Sequence, residues 1–343
     1  MTTLVTGGTG LIGGELLLAL ASSGQPVAAL VRAATPDAAR RRLFARLQKS
    51  AAWRPELAPS IQPVQGDTTR EMFGLEAAQA GRITTVVHCA ANTQFAKSEE
   101  AGVWDTNVGG ARNLVGLARQ VGGVRVVFVG TAAVVTAPAG ACLDEDAPLA
   151  GHANAYTRSK REAEAIVRDG GAGALVLRPS IVLARGVHDR AMARSILWAV
   201  PIMGELGEVP VDPGAHVDLV PVDHVVRAIV RLLSKAALRH AVYHISAGAG
   251  AHTFARLWDA VARGNPWLPP IRPLGGKALP AARPLLRPLA SYLPFVNADV
   301  RYSNERLVRE IGSDGEPAPA LSYVPALVGL ISRQEALEEM QRP

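Results

Sequence analysis

The sequence predicts an α/β fold: a doubly wound parallel sheet with helices on both faces, joined to a smaller C-terminal lobe. Three observations carry this. Short apolar runs alternate with helical patterns up to Pro179, a glycine cluster separates the first run from the first helix, and the pattern then loosens and turns proline-rich. The chain has 343 residues, 48% hydrophobic and 19% charged, which suits a large folded body plus a lobe and excludes a disordered or fibrous protein. No repeat of roughly 20–50 residues is present, so a solenoid is excluded as well.

The elements follow in order. Thr3–Thr6 is a short apolar strand, the glycines after it form a turn, and Glu15–Ala21 continues as a helix. Further strands are expected at Val27–Val31, Ile61–Val64, Thr84–Ala90, Val124–Val129 and Leu175–Leu177. Helical stretches at Pro36–Ser50, Glu99–Val121 and Ala155–Arg168 separate them. After Asp218–Asp223 a helix over Val225–Leu233 returns to the sheet, with Asp223 as its expected cap. Val242–Ser246 is then the last strand. This assigns 1–180 and 218–247 to the sheet domain, and 181–217 and 248–343 to the second lobe. The prolines between Pro266 and Pro294 favour extended connections and short helices there.

Two cysteines, Cys89 and Cys142, cannot make a disulfide framework, and no basic, apolar leader precedes the glycine turn. A cytoplasmic location is the expectation. The longest apolar stretch, Ser195–Met203, is far shorter than the ~20 residues that cross a bilayer, so no membrane span is expected. The net charge of +6 is local: Arg32, Arg40, Arg41, Arg42, Arg46, Lys49 and Arg54 face only Asp37 between Val31 and Pro55. A general nucleic-acid surface is therefore disfavoured.

Gly7-Gly8-Thr9-Gly10-Leu11-Ile12-Gly13 places glycines at i, i+3 and i+6 between a strand and a helix. Glycine lets the backbone turn tightly against a pyrophosphate, whose charge is favoured by the free amides of the helix start, so a dinucleotide site of the Rossmann type is expected. At the end of the second strand, where a free ribose 2′-hydroxyl calls for a carboxylate, stands Arg32. A guanidinium suits a 2′-phosphate and points to NADPH, although an arginine stacked on the adenine is also consistent. Asp67 is placed to accept from the adenine amino group, or to form an Asx turn.

Tyr156 and Lys160 share one face of a helix. A phenol titrates near ~10 and is a poor acid at neutral pH unless a neighbouring cation lowers its pKa, which is the expected role of Lys160. Thr131 ends the fifth strand, where open α/β sheets place their ligands, and can donate to a substrate carbonyl. Hydroxyl, phenol and ammonium together make a donor set for an oxyanion that develops during hydride transfer.

In order along the chain, Gly7-x-x-Gly10-x-x-Gly13, His88-Cys-Ala-Ala91, Asn107-Val-x-Gly-x-x-Asn113, Thr131, Tyr156-x-x-x-Lys160, Arg178-Pro179 and Val220-Pro-Val-Asp223 resemble the motifs of extended short-chain dehydrogenase/reductases over about residues 1–250. The resemblance implies a catalytic triad of Thr131, Tyr156 and Lys160, with Asn107 holding a proton-relay water. It also implies a cofactor site of Gly7, Thr9, Gly10, Leu11, Ile12, Gly13, Arg32, Asp67, Thr68, Ala90, Ala91, Tyr156, Lys160, Pro179, Ser180 and Ile181, the last three beside the nicotinamide. A homodimer is the common state in this family.

Leu30-Val-Arg32 leading into an arginine-rich helix, Tyr292-Leu-Pro-Phe and Val300-Arg-Tyr-Ser-Asn are most similar to the thioester reductase and fatty acyl-CoA reductase branch. Gly130, where the family often has serine, and Val135, where sugar-modifying members often carry an aromatic, are departures. The branch implies an NADPH-dependent reductase that reduces an acyl thioester, on CoA or an acyl carrier protein, to aldehyde or alcohol. A ketone or aldehyde reductase, a nucleotide-sugar epimerase, and a non-catalytic NADPH-binding regulator remain alternatives.

Several residues have plainer readings. His88 and Cys89 lie in an expected buried strand and are read as packing, and His240 and His244 lack a third ligand, so no metal is assigned. Arg40, Arg41, Arg42 and Arg46 on the helix within 36–50 either meet a carrier protein or CoA phosphates or form a solvated face. Ile196–Met203, with Trp198 and Met203, either lines a lipophilic channel or fills the second lobe's core.

Overall fold

The computed structural model describes residues 2–94, 100–135, 138–149, 154–171, 173–185, 195–275, 292–332 and 334–335. Its centre is a seven-stranded sheet of β1 (Thr2–Thr6), β2 (Val27–Val31), β3 (Ile61–Gln65), β4 (Ile83–His88), β5 (Arg125–Val129), β6 (Leu175–Pro179) and β7 (Val242–Ile245). The order is β3-β2-β1-β4-β5-β6-β7, and every pairing is parallel. The chain leaves β1 for β2 on one side and returns to β4 on the other. That reversal opens a crevice at the carboxyl ends of β1 and β4, where a doubly wound sheet takes its ligand.

Helices cover both faces because a parallel sheet must bury both. Leu16 and Leu17 of α1 (Leu11–Ser22), Leu43 of α2 (Pro36–Leu47) and Ile229 of a later helix over Val222–Leu233 pack on one face. Leu114 of α3 (Gly110–Val121) and Ala163 of α4 (Ala155–Asp169) pack on the other. Local chemistry fixes the helix starts: Thr35 accepts from the Ala38 amide at 3.2 Å ahead of Pro36, and Asn154 and Thr157 form a reciprocal capping box. A separate apolar cluster gathers α5 (Ala199–Leu206), the helix Phe254–Gly264 and Val324–Val328.

Four sequence expectations differ from the structure. The stretch 99–121 is not one regular helix: within the described residues, Glu100–Trp104 passes into a π turn at Asp105–Gly109 before α3. Asp223 does not cap its helix, which starts at Val222 after Pro221; the carboxylate instead holds Arg185 at 2.6 and 3.1 Å. Helix 36–50 ends at Leu47, and the strand expected to reach Ala90 ends at His88. Four short ladders were not anticipated, among them Ile181–Leu183 with Leu219–Pro221 and Cys142–Leu143 with Arg301–Tyr302. Of the proline-rich stretch, 276–291 lies outside the described residues. Among the described residues, no helix is long and apolar enough to cross a membrane.

Candidate active site

The glycine turn forms one wall of the crevice. Gly7 has φ of +71°, and a Cβ there would stand 2.7 Å from the Ala90 nitrogen, so β1 can approach the end of β4 only with glycine. A Cβ on Gly13 would meet the Gly7 carbonyl at 2.4 Å, which explains why this buried position serves the turn from behind. The Gly10 amide closes the turn on the Gly7 carbonyl at 2.8 Å, and α1 then begins without a side-chain cap. The amides of Leu11, Ile12 and Gly13 are left without helical partners, an arrangement that favours an anion.

Two cavities meet along this crevice, both bordered by Thr93. One, of about 500 Å³, is lined by Gly7, Thr9, Gly10, Arg32, Asp67, Thr68, Ala90 and Ala91. The other, of about 440 Å³, is lined by Ile12, Thr131, Tyr156, Pro179, Ser180 and Ile181. Most of the expected cofactor residues are thus brought together across one reversal of the sheet. The exposed amides, the glycine cradle and the paired arginines described next suit a dinucleotide phosphate chain.

Arg42 joins Arg32 in the wall of the larger cavity, and its guanidinium donates to the Arg32 carbonyl at 2.7 Å. The sequence leaves Arg42 either meeting a carrier protein or CoA phosphates or on a solvated face; in the structure it points back from α2 to the end of β2. Arg46 also turns inward. It is 7% exposed and paired with Glu15 at 3.1 Å, so it is an internal tie between α1 and α2 rather than a docking residue. Arg40 lies over the Phe44 ring at 5.0 Å. Asp67 does form the Asx turn, its Oδ1 accepting from the amide and hydroxyl of Thr69 at 2.9 Å each, while still bordering the cavity.

Thr131 follows β5, its hydroxyl accepts from the Ala133 amide at 3.3 Å, and it lines one cavity with Tyr156. Lys160 lies one turn along α4, as the spacing requires. Its ammonium, however, donates to the Val129 carbonyl at 2.7 Å and sits 4.4 Å from the Phe128 ring centroid. The expected acidification of the phenol is therefore not in force in this arrangement: burial pushes Tyr156 up to about 12, against the lowering effect of Thr131. Burial also draws Lys160 down to about 8, although Cys89 and Glu164 act to raise it. Asn107 differs from expectation as well. Its amide nitrogen donates to the Asn92 carbonyl at 3.0 Å and the Ser159 hydroxyl at 2.9 Å, and its oxygen accepts from the Asn92 amide at 2.8 Å. With both amide hydrogens committed, the side chain is a clamp between the β4 loop and α4 rather than a donor to water.

His88 is packed as a neutral ring between Phe73 and Phe128, each 5.9 Å away, and burial lowers its pKa to about 3. Burial raises the Cys89 thiol to about 12, which makes it a poor nucleophile. Ile196 and Trp198, expected from the sequence either to line a channel or to fill a core, border the Tyr156 cavity; His216, Tyr292, Phe295, Val300 and Tyr302 border it as well and were not expected there. Tyr292-Leu-Pro-Phe and Val300-Arg-Tyr were visible as motifs, but their distance from Tyr156 along the chain hid their place.

A glycine-lined crevice on a 3-2-1-4-5-6-7 parallel sheet, with Thr131 and Tyr156 at its far end, marks a Rossmann-type chain of the extended short-chain dehydrogenase/reductase class. More narrowly, residues 5–229 match the male sterility protein family, and the chain belongs to it. Glycine betaine reductase ATRR of Emericella nidulans is 30% identical over 265 residues, covering 71% of this chain and 21% of the relative. The chain thus spans about a fifth of that protein's length. Among solved structures, the terminal R domain of the myxalamid PKS-NRPS pathway superposes with a TM-score of 0.79 at 24% identity, covering 97% of this chain and 92% of that one. A thiolation-reductase di-domain from an archaeal non-ribosomal peptide synthetase gives 0.74 at 18% identity, covering 99% and 76%. These structural likenesses show a shared fold.

Proposed function

We propose that this chain is an NADPH-dependent reductase of acyl thioesters carried on CoA or a carrier protein. The observation that carries the reading is that Thr131 and Tyr156, at the end of β5 and the start of α4, line one cavity that continues from the glycine turn. The kinship with a glycine betaine reductase and with reductase domains of peptide synthetases supports the thioester as substrate. Arg32 and Arg42 together support NADPH, because two guanidinia beside the adenosine end favour a 2′-phosphate over a hydroxyl.

The glycine turn and the first amides of α1 hold the pyrophosphate, and Pro179, Ser180 and Ile181 flank the ring end. The bound cofactor supplies a hydride to the carbonyl carbon. Thr131 and Tyr156 donate to the carbonyl oxygen, and the Tyr156 phenol gives up its proton as negative charge develops there. Lys160, released from the Val129 carbonyl, stabilises the resulting phenolate. On a thioester the product is a hemithioacetal, which expels a thiol and leaves an aldehyde open to a second reduction.

Incubation of the protein with NADPH and either an acyl-CoA or the matching free aldehyde tests the reading. Oxidation of NADPH with the acyl-CoA, accompanied by titratable thiol, is expected. Oxidation with the aldehyde alone would overturn thioester reduction and leave an aldehyde reductase. No net oxidation with either, but interconversion of a nucleotide sugar, would identify an epimerase. A biological effect unchanged by Tyr156→Phe would point to a non-catalytic regulator.

A further inference from the structure

We propose that His216, held by Asp299, is the general acid that protonates the departing sulfur when the hemithioacetal collapses. This deepens the thioester reading and rests on it for the presence of a leaving thiol.

His216 stands on a two-residue ladder, opposite Thr253, and borders the cavity that Thr131 and Tyr156 line. Asp299, 83 positions further along the chain, reaches back to it: its Oδ1 accepts from the His216 backbone amide at 2.9 Å and from the ring Nδ1 at 2.8 Å. An ionised carboxylate only accepts, so Nδ1 carries a hydrogen and Nε2 is the ring nitrogen left to a ligand. Burial acts to raise the Asp299 carboxyl, but the hydrogen bonds from His216 hold it below the usual carboxylate range, so it stays ionised. Asp299 also has φ of +48°, a left-handed conformation that is unfavourable for any residue with a Cβ, and the Gly140 amide donates to its carbonyl at 2.8 Å. The strain is spent on standing a carboxylate behind one ring nitrogen of a residue in the wall of the site.

After the reduction Tyr156 stands as the phenolate, and the hemithioacetal has a C–S bond to break. In the collapse its hydroxyl proton returns to the Tyr156 oxygen, the carbonyl reforms, and the C–S bonding pair goes to sulfur. The Nε2 proton of the His216 imidazolium, whose charge Asp299 balances, passes to that sulfur, and His216 then takes a proton from water. The balance is a thioester, NADPH and a proton giving an aldehyde, a thiol and NADP⁺. An alkanethiolate is a basic anion, and the walls around it, among them Trp198, Phe295 and Val300, solvate it poorly, so it leaves best as the neutral thiol. The other acids on the cavity wall suit the step less. Tyr292 and Tyr302 are phenols, weaker acids than an imidazolium, and Asp218 is 4% exposed with its Oδ1 committed to the Ala247 amide at 2.8 Å.

The test compares leaving groups. The parent and His216→Asn, which keeps a donor towards Asp299 but has no nitrogen at the Nε2 position, are checked for NADP⁺ binding and given NADPH with an acyl-CoA, with the thiophenyl ester of the same acid, or with the matching aldehyde. The acyl-CoA rate of the variant is expected to fall by about 10²-fold. The thiophenyl ester, whose less basic thiolate leaves unaided, and the aldehyde, which expels nothing, should keep rates near the parent's. In a single turnover with acyl-CoA the variant should oxidise NADPH ahead of thiol release, whereas the parent shows both together. Asp299→Gly, which accepts the +48° backbone and lacks the carboxylate, should show the same selective loss to a smaller degree, and it decides the matter where His216→Asn does not fold. Equal losses with all three substrates, as a purely structural role would give, or no loss with the acyl-CoA, overturn the proposal. So does a selective loss in Asp218→Asn that is absent from His216→Asn. A parent that oxidises NADPH with the aldehyde alone removes the thioester and the proton's destination together, a result distinct from a parent active on acyl-CoA and indifferent to His216.

Discussion

Burial sets the working state of Lys160. The residue is 2% exposed, and desolvation against the Phe128 ring holds its pKa at about 8, well below the ordinary 10.5. Tyr156, held up at about 12, stays protonated throughout the useful pH range and is ready to donate. The proposed chemistry needs the ammonium, so kcat/KM should fall as pH rises through about 8, and Lys160→Met should abolish that limb while lowering the rate by about 10²–10⁴. Stability should move the other way. The folded-state pKa lies below the unfolded one, so the unfolded chain binds more protons between about pH 8 and 10.5, and stability rises with pH across that window. Below it the burial penalty is complete; Lys160→Met should therefore stabilise the protein by about 1–2 kcal/mol at neutral pH, read by thermal denaturation. A fall in Tm would show that the Val129 hydrogen bond outweighs the desolvation. At the opposite end of the crevice, replacing both Arg32 and Arg42 by alanine should raise the KM for NADPH on the order of tenfold or more while leaving that for NADH nearly unchanged, in steady-state assays with each cofactor.

The π turn at Asp105–Gly109 is the element that joins the crevice to α4. It carries Asn107 between the Asn92 backbone and Ser159, and so fixes the loop that includes Thr93, the edge common to both cavities. Asn107→Ala leaves an amide and a carbonyl of Asn92 without partners, a loss of about 1–3 kcal/mol in Tm measurements. It should also raise the KM for the dinucleotide more than it lowers kcat. A residue holding a relay water would give the reverse, a lower kcat at unchanged KM. Such an element is hard to read from sequence, because one extra residue in a turn leaves the apolar spacing of Glu99–Val121 intact. β2 was legible to the residue, since five apolar side chains stand between Pro26 and Arg32 and a buried parallel strand needs that run. The two-residue ladders were not, because a pair has no period. Arg42 and Arg46 show the same boundary for side chains: the helix was legible, but their partners, the Arg32 carbonyl and Glu15, are set by tertiary packing.

Across the whole molecule, a chain of buried ions ties the sheet to the C-terminal segment and reaches the site. Arg178 on β6, with no exposed surface, grips Glu164 of α4 through both carboxylate oxygens at 2.6–3.2 Å and the Glu145 carbonyl at 3.2 Å. Glu145 accepts from the His244 amide of β7 at 2.9 Å and pairs with Arg306, which also holds Asp146. Removing one member of a buried pair strands the other charge, so Arg178→Met and Glu164→Met should each destabilise by about 3–5 kcal/mol, while the double variant recovers much of the loss. A double-mutant cycle by denaturant unfolding measures that coupling; additive losses would mean the two residues do not act as a pair. The ion chain also has a catalytic readout. Glu164 acts to raise the Lys160 pKa, so the double variant, which loses that carboxylate, should show its alkaline limb at lower pH than the parent. An unchanged pH profile in a folded double variant would show that Glu164 serves only to hold β6 and α4 together, with Lys160 governed by its burial alone.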